Sequence, residues 1–238
     1  MCPDTRVQLR QAFVLHRRPY RETSLLLEVF TRDFGRLGLV ARGVRRRASR
    51  LAGVLQPFRP LLLSWSGRRE LGTLADAEYD GVTQPLGGPA LASGFYVNEL
   101  VLRLLHRFDP HPELFGIYAG TLERLRRSGA QESALRIFEK RLLEAVGYGL
   151  VLDHDVVSGR PLEPDAVYDY RHDRGPVPAG AGGTEGIRMG GDALAALARE
   201  RLDTPEHLLA AKRLMRYVLR VHLGDRPVTS RTLFRGRE

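Results

Sequence analysis

The first third of the chain alternates apolar and polar positions with the period of two that is typical of β-strands. In the segment 23–31, for example, Leu25, Leu27 and Val29 fall on one face. Short apolar segments of this kind, each bounded by turn residues, predict five strands, at 10–16, 23–31, 36–42, 54–66 and 70–80. Five short strands in so little chain favour a small closed barrel.

The spacing of apolar positions changes after the Gly- and Pro-rich linker 84–89. A helical period predicts helices at 90–108, 112–127, 131–147, 192–202 and 204–224. The first of these is apolar on nearly every side, which predicts a central, buried helix. Gly147 is expected to end the third helix, while Thr204 caps the last one, with Pro205 at its first position and Gly224 after its end.

The segment 153–190 interrupts the helical pattern. It is rich in Gly, Pro and Asp and has weak periodicity, so we expect a long loop or a small irregular insert. The predicted fold class is therefore α+β, with a five-stranded barrel in residues 1–83 and a helical domain with this insert in residues 84–238.

Composition narrows the class of protein. A hydrophobic content of 43% is enough for a packed core. The sequence has no apolar run of transmembrane length and no secretory leader, so we expect a cytoplasmic protein with no membrane partner. The single cysteine, Cys2, excludes an internal disulfide framework and a cysteine-based zinc knuckle.

Positive charge is concentrated in one part of the chain. The formal net charge is +9, and the window 34–69 holds nine arginines and no acid. Such a cluster favours a polyanionic partner, although a merely solvated loop stays open as an alternative. The aromatic residues of the same region either stack on bases or belong to the core: Tyr20, Phe30, Phe34, Phe58 and Trp65. The arginines expected to bind are Arg36, Arg42, Arg45, Arg46, Arg47 and Arg50.

A second basic face is predicted on the last helix. Lys212, Arg216 and Arg220 are spaced four residues apart and stack on one side, with Arg213 beside them. A binding role and a solvated helix face are both compatible with this spacing.

The insert also holds acids and histidines that raise the alternative of a metal-dependent nuclease: Asp153, His154, Asp155, Asp169, His172 and Asp173. Their spacing fits no established metal-ligand motif, and no phosphate-binding loop or nucleophile motif occurs in the chain. The sequence therefore predicts a binding protein with no catalytic residue, metal or cofactor.

Several longer segments are similar to those of the RecO family of bacterial recombination mediators, in the order in which that family has them. They include "AFVLHRRPYRETSLLLEVFTRDFGRLGLVARGVRR", "LQPFRPLLLSW", "GFYVNELVLRLL", "LRIFEKRLLEAVGYG" and "AAKRLMRYVLRVHLGDRPVTSRTLFR". The resemblance covers most of the chain outside the insert.

This resemblance implies an OB-fold barrel followed by a helical domain. It also implies a protein that binds single- and double-stranded DNA, anneals strands coated by single-strand-binding protein (SSB), and with RecR assists RecA loading, without hydrolysing nucleotides. The family's basic surface corresponds to the six arginines from Arg36 to Arg50. Arg136, in "LRIFE", is the expected contact for the carboxylate of the SSB C-terminal tail. A cytoplasmic, nucleoid-associated location follows, and a basic barrel that binds RNA stays the alternative.

The chain departs from the family pattern in the insert. Many relatives carry paired cysteines there and resemble a zinc ribbon, whereas this sequence has Asp155 and Ser158 at the first pair. We therefore expect no structural zinc and an insert that is held by packing alone.

Overall fold

The computed structural model of the protein describes residues 6–67, 71–127, 129–180, 186–224 and 228–230. The described residues form two compact units, one made of 6–127 with 228–230 and the other of 129–224. Helices that the sequence assigned to the second domain thus group with the barrel. The sequence domains 1–83 and 84–238 stay a prediction.

Five strands of the first unit close into a barrel. Their order around the barrel is β1-β2-β3-β5-β4, and all neighbours are antiparallel except β3 and β5. The strands are β1 (Arg6–Tyr20), β2 (Ser24–Thr31), β3 (Gly35–Ala41), β4 (Leu61–Ser66) and β5 (Leu71–Tyr79). The predicted five-stranded barrel is confirmed, because alternate residues such as Leu27, Val29 and Leu39 point into its core and are fully buried.

The fourth strand is shorter than predicted. Residues 51–54 form a short helix, α1 (Leu51–Val54), and β4 begins only at Leu61. Pro57 and Pro60 lie in the connection between them. Because proline has no N–H to donate to a ladder, these two prolines keep the connection out of the sheet.

Two helices complete the first unit, α2 (Gly88–Leu104) and α3 (Pro112–Leu125). Aromatic rings join them to the barrel: Phe13 and Phe30 pack against Phe115 and Tyr118 of α3 with ring centroids 5.0–5.8 Å apart. The prediction that α2 is buried on every side was wrong. Val97 and Leu100 are fully buried, but Leu91 and Phe95 are each 38% exposed.

A β-bulge at Leu15 is the second connection between barrel and helices. The register of β1 against β2 shifts between Val14 and His16. The Leu15 carbonyl instead accepts a 2.8 Å hydrogen bond from the Asn98 side chain, whose oxygen accepts a 2.6 Å bond from the Tyr118 hydroxyl. Burial raises the pKa of Tyr118, so its hydroxyl stays protonated and able to donate.

The second unit contains three helices, α4 (Gln131–Ala145), α5 (Gly191–Ala198) and α6 (Pro205–Leu223). Gly147 (φ +85°) ends α4 in a Schellman motif, with Tyr148 N–H bonded to Leu143 O at 2.8 Å. The Thr204 hydroxyl caps α6 by accepting from His207 N–H at 3.2 Å, and Gly224 follows the last turn. The predicted helix signals are therefore confirmed.

The insert is more regular than the sequence indicated. It holds β6 (Val167–Arg171), β7 (Gly175–Pro178) and β8 (Ile187–Gly190), in the order β7-β6-β8. Strands of only four or five residues, two of them with glycine or proline, give too little alternation to be recognised. Tyr170, Val177 and Met189 provide their buried side.

Within the ranges given above, no helix combines the length and the apolar character needed to cross a bilayer.

The substitution Asn98→Ala tests the connection between barrel and helices. It removes the side chain that bonds both the Leu15 carbonyl and the Tyr118 hydroxyl, and we expect it to lower the free energy of unfolding by about 1–3 kcal/mol. Urea unfolding of the variant gives the measurement. Gln84→Ala, at an exposed position, is the control and should leave stability unchanged. Equal stability of Asn98→Ala and the control would contradict the role assigned to Asn98.

Candidate nucleic-acid interface

The loop that follows β3 has one apolar residue at its centre, and this residue fixes its conformation. Val44 is 1% exposed and belongs to the barrel core. Main-chain hydrogen bonds hold the residues after it, from Arg45 N to Thr23 O at 2.9 Å and from Arg46 N to Gly43 O at 3.1 Å. With Val44 directed inward, the flanking arginines are exposed. We call residues 42–50 the arginine loop.

A groove of about 700 Å³ lies at this end of the barrel. Its walls come from the β1–β2 turn (20–24), from residues 40–46 and from the start of β5 (71–73). Arg42 and Arg46 line it together with Arg21, whose guanidinium lies 5.3 Å from the centre of the Tyr20 ring, and with one acid, Glu22. Within the described ranges, Arg42 and Arg46 make no ion pair with a carboxylate. We call this feature the arginine groove; its field attracts an anion.

The remaining arginines of the loop differ in their surroundings. Arg45 donates to the Arg21 carbonyl at 3.2 Å, which ties the loop to the β1–β2 turn. Arg47 is exposed. Arg50 pairs with Asp76 of β5 at 2.9 Å, and both side chains are exposed, so this ion pair contributes little stability but cancels one positive charge. Arg68 and Arg69 of the charged window lie outside the described residues.

Arg36 is separated from the rest of the predicted set. It lies near the start of β3, whereas Arg42 follows the end of that strand, about 20 Å further along at ~3.3 Å per residue. Its side chain is only 17% exposed and pairs with Glu28 at 3.4 Å, and Glu28 also binds Arg107. Burial lowers the pKa of Arg36. The structure therefore places Arg36 in an ion-pair network on the barrel wall, away from the arginine groove.

The aromatic residues divide between the core and the groove. Phe30, Phe58 and Trp65 are buried, and Phe34 packs edge-on against Trp65 at 5.2 Å. Only Tyr20 of the five lines the arginine groove. The core interpretation is thus confirmed for the three buried rings.

The second basic face has different members from those the spacing predicted. Lys212 is half-buried and bonded to Glu132 of α4. Arg213, Arg216 and Arg220 are exposed and form a stripe at i, i+3 and i+7, without an ion pair to any described residue. The stripe carries three positive charges, and its binding role stays a prediction.

Arg136 lies inside the second unit. Its side chain is 6% exposed and pairs at 3.0 Å with Glu139, which is fully buried, while Glu132 lies 4.0 Å away. Its Nε has no acceptor among the described residues. A partner carboxylate would therefore have to compete with Glu139 for the guanidinium, and the Nε that lacks an acceptor is itself buried.

The acids of the insert serve local structure. Asp155 accepts hydrogen bonds from the Ser158 hydroxyl and from Val157 N–H at 2.7 Å, which hold the pKa of Asp155 below its usual range. These bonds correct the expectation that the insert is held by packing alone. Asp169 pairs with Arg188 at 3.1 Å. In the part of the chain that the structure describes, no three acid, histidine or cysteine side chains meet as metal ligands.

Comparisons with known proteins agree with this architecture. The family model described as "Recombination protein O N terminal" matches residues 7–80, and that described as "Recombination protein O C terminal" matches residues 88–232. The chain belongs to the RecO family. It is 52% identical to the DNA repair protein RecO of Methylococcus capsulatus, over 97% of this chain and 94% of that protein. It is also 53% identical to the DNA repair protein RecO of Alkalilimnicola ehrlichii, over 97% and 92%, respectively.

Two features of the site went unrecognised in the sequence of this RecO-family chain. Arg21 faces the arginine groove from a separate turn, in a left-handed conformation (φ +51°). Its position beside the arginine loop depends on the pairing of β1 with β2 and of β2 with β3. Val44 is a single apolar residue among arginines. A lone apolar residue in such a basic segment could have indicated that its side chain is buried in the core and holds the loop in place.

The Asp155 turn gives a prediction with a definite pH dependence. A lowered pKa means that the charged carboxylate stabilises the fold. This contribution to the stability of the fold is complete above the pKa of the carboxyl group in the unfolded chain, about 4. It is lost as the pH falls through the lower pKa of the folded protein. Asp155→Ala should therefore lower the thermal unfolding midpoint at pH 7, and the difference from the parent should narrow below about pH 4.

Asp173→Ala is the matched control for this measurement. Asp173 is an exposed acid of the same insert whose ion pair is a 3.5 Å contact with Arg174, so its removal should have a small effect at any pH. A midpoint for Asp155→Ala that equals that of the parent at pH 7 would rule out a stabilising turn.

Proposed function

We propose that this chain is a DNA repair and recombination mediator. In this proposal it binds single- and double-stranded DNA at the arginine groove and anneals complementary strands coated by SSB, and with RecR it assists RecA loading in the nucleoid. The observation that carries the proposal is the arginine groove. Arg21, Arg42 and Arg46 line it together, and none of the three forms an ion pair with a described carboxylate. Membership of a family whose relatives are named as DNA repair proteins supports it.

The arginine groove suits annealing for an electrostatic reason. Two DNA strands repel each other, and arginines that neutralise both backbones lower that repulsion while releasing counterions. With Tyr20 as its one aromatic ring, the groove offers little base stacking. The bases of a bound strand thus stay accessible for pairing, and no bond of the DNA is broken or formed, so the proposed activity needs no catalytic residue or cofactor.

Docking to SSB is assigned to Arg136 in the second unit. A guanidinium binds a carboxylate by two parallel hydrogen bonds, and the contact of Arg136 Nη2 with Glu132 is long, at 4.0 Å. In this proposal the terminal carboxylate of the SSB tail takes over part of the ion pairing that Glu139 now supplies. The exposed stripe Arg213, Arg216 and Arg220 is a separate candidate contact for DNA, on the same unit as Arg136.

The alternatives are weaker. An RNA-binding barrel would use the same arginines, and competition between RNA and DNA of one sequence separates the two. A metal-dependent nuclease has no ligand cluster among the described residues.

The first prediction concerns the salt dependence of binding to a single-stranded oligonucleotide. Contact with five phosphates at about −0.7 per phosphate gives a slope of about −3.5 for log K against log salt. The double variant Arg42→Ala/Arg46→Ala should reduce the magnitude of that slope by about 1.4. Fluorescence anisotropy at several salt concentrations measures both values.

Arg160→Ala/Arg174→Ala is the matched control, since it removes two exposed arginines from the insert of the second unit. Its slope should equal that of the parent. Equal slopes for both double variants would place the DNA elsewhere on the protein.

The second prediction concerns SSB. Arg136→Ala alone is a poor test, because it removes an ion-pair partner of the buried Glu139 carboxylate at a cost of about 3–5 kcal/mol. We expect Glu139→Gln to strengthen binding of an SSB-tail peptide, because it removes the internal competitor for Arg136. The double variant Arg136→Met/Glu139→Gln should abolish that binding, and with it the annealing of SSB-coated strands.

Annealing of bare strands serves as the control and should continue in both variants. If the double variant still binds the tail peptide as the parent does, the assignment of Arg136 is wrong. If neither bare nor coated strands are annealed by the parent protein, the mediator function itself is wrong.

A further inference from the structure

A long apolar groove runs beside α2, away from the arginine groove. It consists of a cavity of about 610 Å³ and a neighbouring one of about 460 Å³, which share Leu15, His16 and Phe95. Every residue that lines it belongs to the first unit, and none lines the arginine groove. We call it the α2 groove.

The floor of the α2 groove is built from apolar side chains that no described residue covers completely. Leu91, Phe95 and Leu102 of α2 follow at i, i+4 and i+11, which places them on one stripe, and the first two are each 38% exposed. Phe58 lies beneath Phe95, with ring centroids 5.0 Å apart. Gly94 permits this packing, because a Cβ there would lie 2.9 Å from the Phe58 ring.

The rim of the α2 groove is positive. Arg17 and Arg59 line the larger cavity, which has no carboxylate in its lining. Both are held in place, Arg17 by a 3.3 Å hydrogen bond to the Leu55 carbonyl and Arg59 over the Tyr79 ring at 5.2 Å. In the smaller cavity the one carboxylate, Glu99, is already paired with Arg103 at 2.8 Å and bound by main-chain N–H groups.

Strand β1 contributes a backbone edge to this groove. Its ladder with β4 ends at the pair Ala12 and Leu61, so beyond that point the described part of β1 is paired with β2 alone. His16 and Arg17, which line the groove, lie on this section of the strand. Apart from the Leu15 carbonyl, which Asn98 already occupies, an edge of this kind offers main-chain donors and acceptors to an extended peptide.

We propose that the α2 groove binds an acidic, apolar peptide segment of a partner protein. The segment lies extended along β1, with an apolar side chain against Phe58 and Phe95 and its carboxylates near Arg17 and Arg59. Charge complementarity selects an acidic partner, because the lining of the larger cavity has cations and no acid. The apolar floor selects a partner that also carries leucine or phenylalanine.

Nucleic acid fits this groove less well. Phe58 and Phe95 meet at 76°, edge to face, and so present no flat ring surface on which a base could stack. The rest of the floor is leucine and proline. The inference does not depend on the proposed function, since it involves different residues.

The test uses the full chain and an array of amidated twelve-residue peptides of random order. One class combines Asp and Glu with Leu and Phe, a second combines Lys with Leu and Phe, and a third combines Asp and Glu with Ser. Amidation removes the terminal carboxylate, so Arg136 is not the expected contact. Binding is measured by anisotropy at physiological salt in the presence of excess oligonucleotide, which occupies the arginine groove.

We expect saturable binding by members of the first class alone. Phe95→Asp and Arg59→Glu should each weaken it at least ten-fold, because each places a negative charge in the groove. Leu209→Asp, at a site on α6 that is 60% exposed, is the matched control and should bind as the parent does. Unchanged thermal unfolding of the variants shows that they are folded.

Three results would overturn the proposal. They are an array without a binder in the first class, equal binding by the basic class, and binders that Phe95→Asp and Arg59→Glu leave unaffected. Loss of oligonucleotide affinity in Phe95→Asp, without loss of peptide affinity, would assign the groove to nucleic acid instead. Failure of salt-dependent DNA binding at the arginine groove leaves the peptide result unchanged, so the two proposals fail separately.

Discussion

Burial of the Val44 side chain is the constraint on which the candidate nucleic-acid interface depends. A loop with Arg42, Arg45, Arg46 and Arg47 would repel itself and stay open in water, because like charges at short range are unfavourable. Burying one valine in the barrel core stabilises this loop conformation by about 1.5–3 kcal/mol. It also determines that the neighbouring side chains point away from the core. With the backbone bonds to Thr23 and Gly43, the arginines are held outward before any ligand arrives. A preorganised cluster loses less conformational entropy on binding than a mobile one.

Arginines have two kinds of surroundings in this chain. Some form an ion pair with a carboxylate of the protein, and others form none. All but two of its 37 basic residues are arginines, so identity alone says little. Arg36 is paired with Glu28 on the barrel wall, and Arg136 is paired with Glu139, with which an external carboxylate must compete. Arg42 and Arg46 share their groove with Glu22 but form no ion pair with a described carboxylate, so they remain available to an external anion. The proposed binding function therefore depends on which arginines lack an ion pair as much as on where arginines occur.

The sequence predicted the barrel and the helix ends because these depend on local patterns, such as alternation in β2 and the Thr204 cap. It could not separate Arg36 from Arg42, since their different surroundings arise from strand pairing and from Arg107, distant in the sequence. Helical spacing alone assigned Lys212 to the basic face, but packing of α6 against α4 gives it to Glu132. The exposed apolar stripe of α2 could not be predicted, because a helix that is apolar on nearly every side gives no signal for which side remains exposed.

Arginine footprinting with phenylglyoxal, mapped by mass spectrometry with and without a single-stranded oligonucleotide, tests the central claim most directly. The account predicts that DNA protects Arg42, Arg45, Arg46 and Arg47 from modification, whereas Arg160 and Arg174, exposed on the insert, react equally in both samples. Equal modification of the arginine loop with and without bound DNA would contradict it.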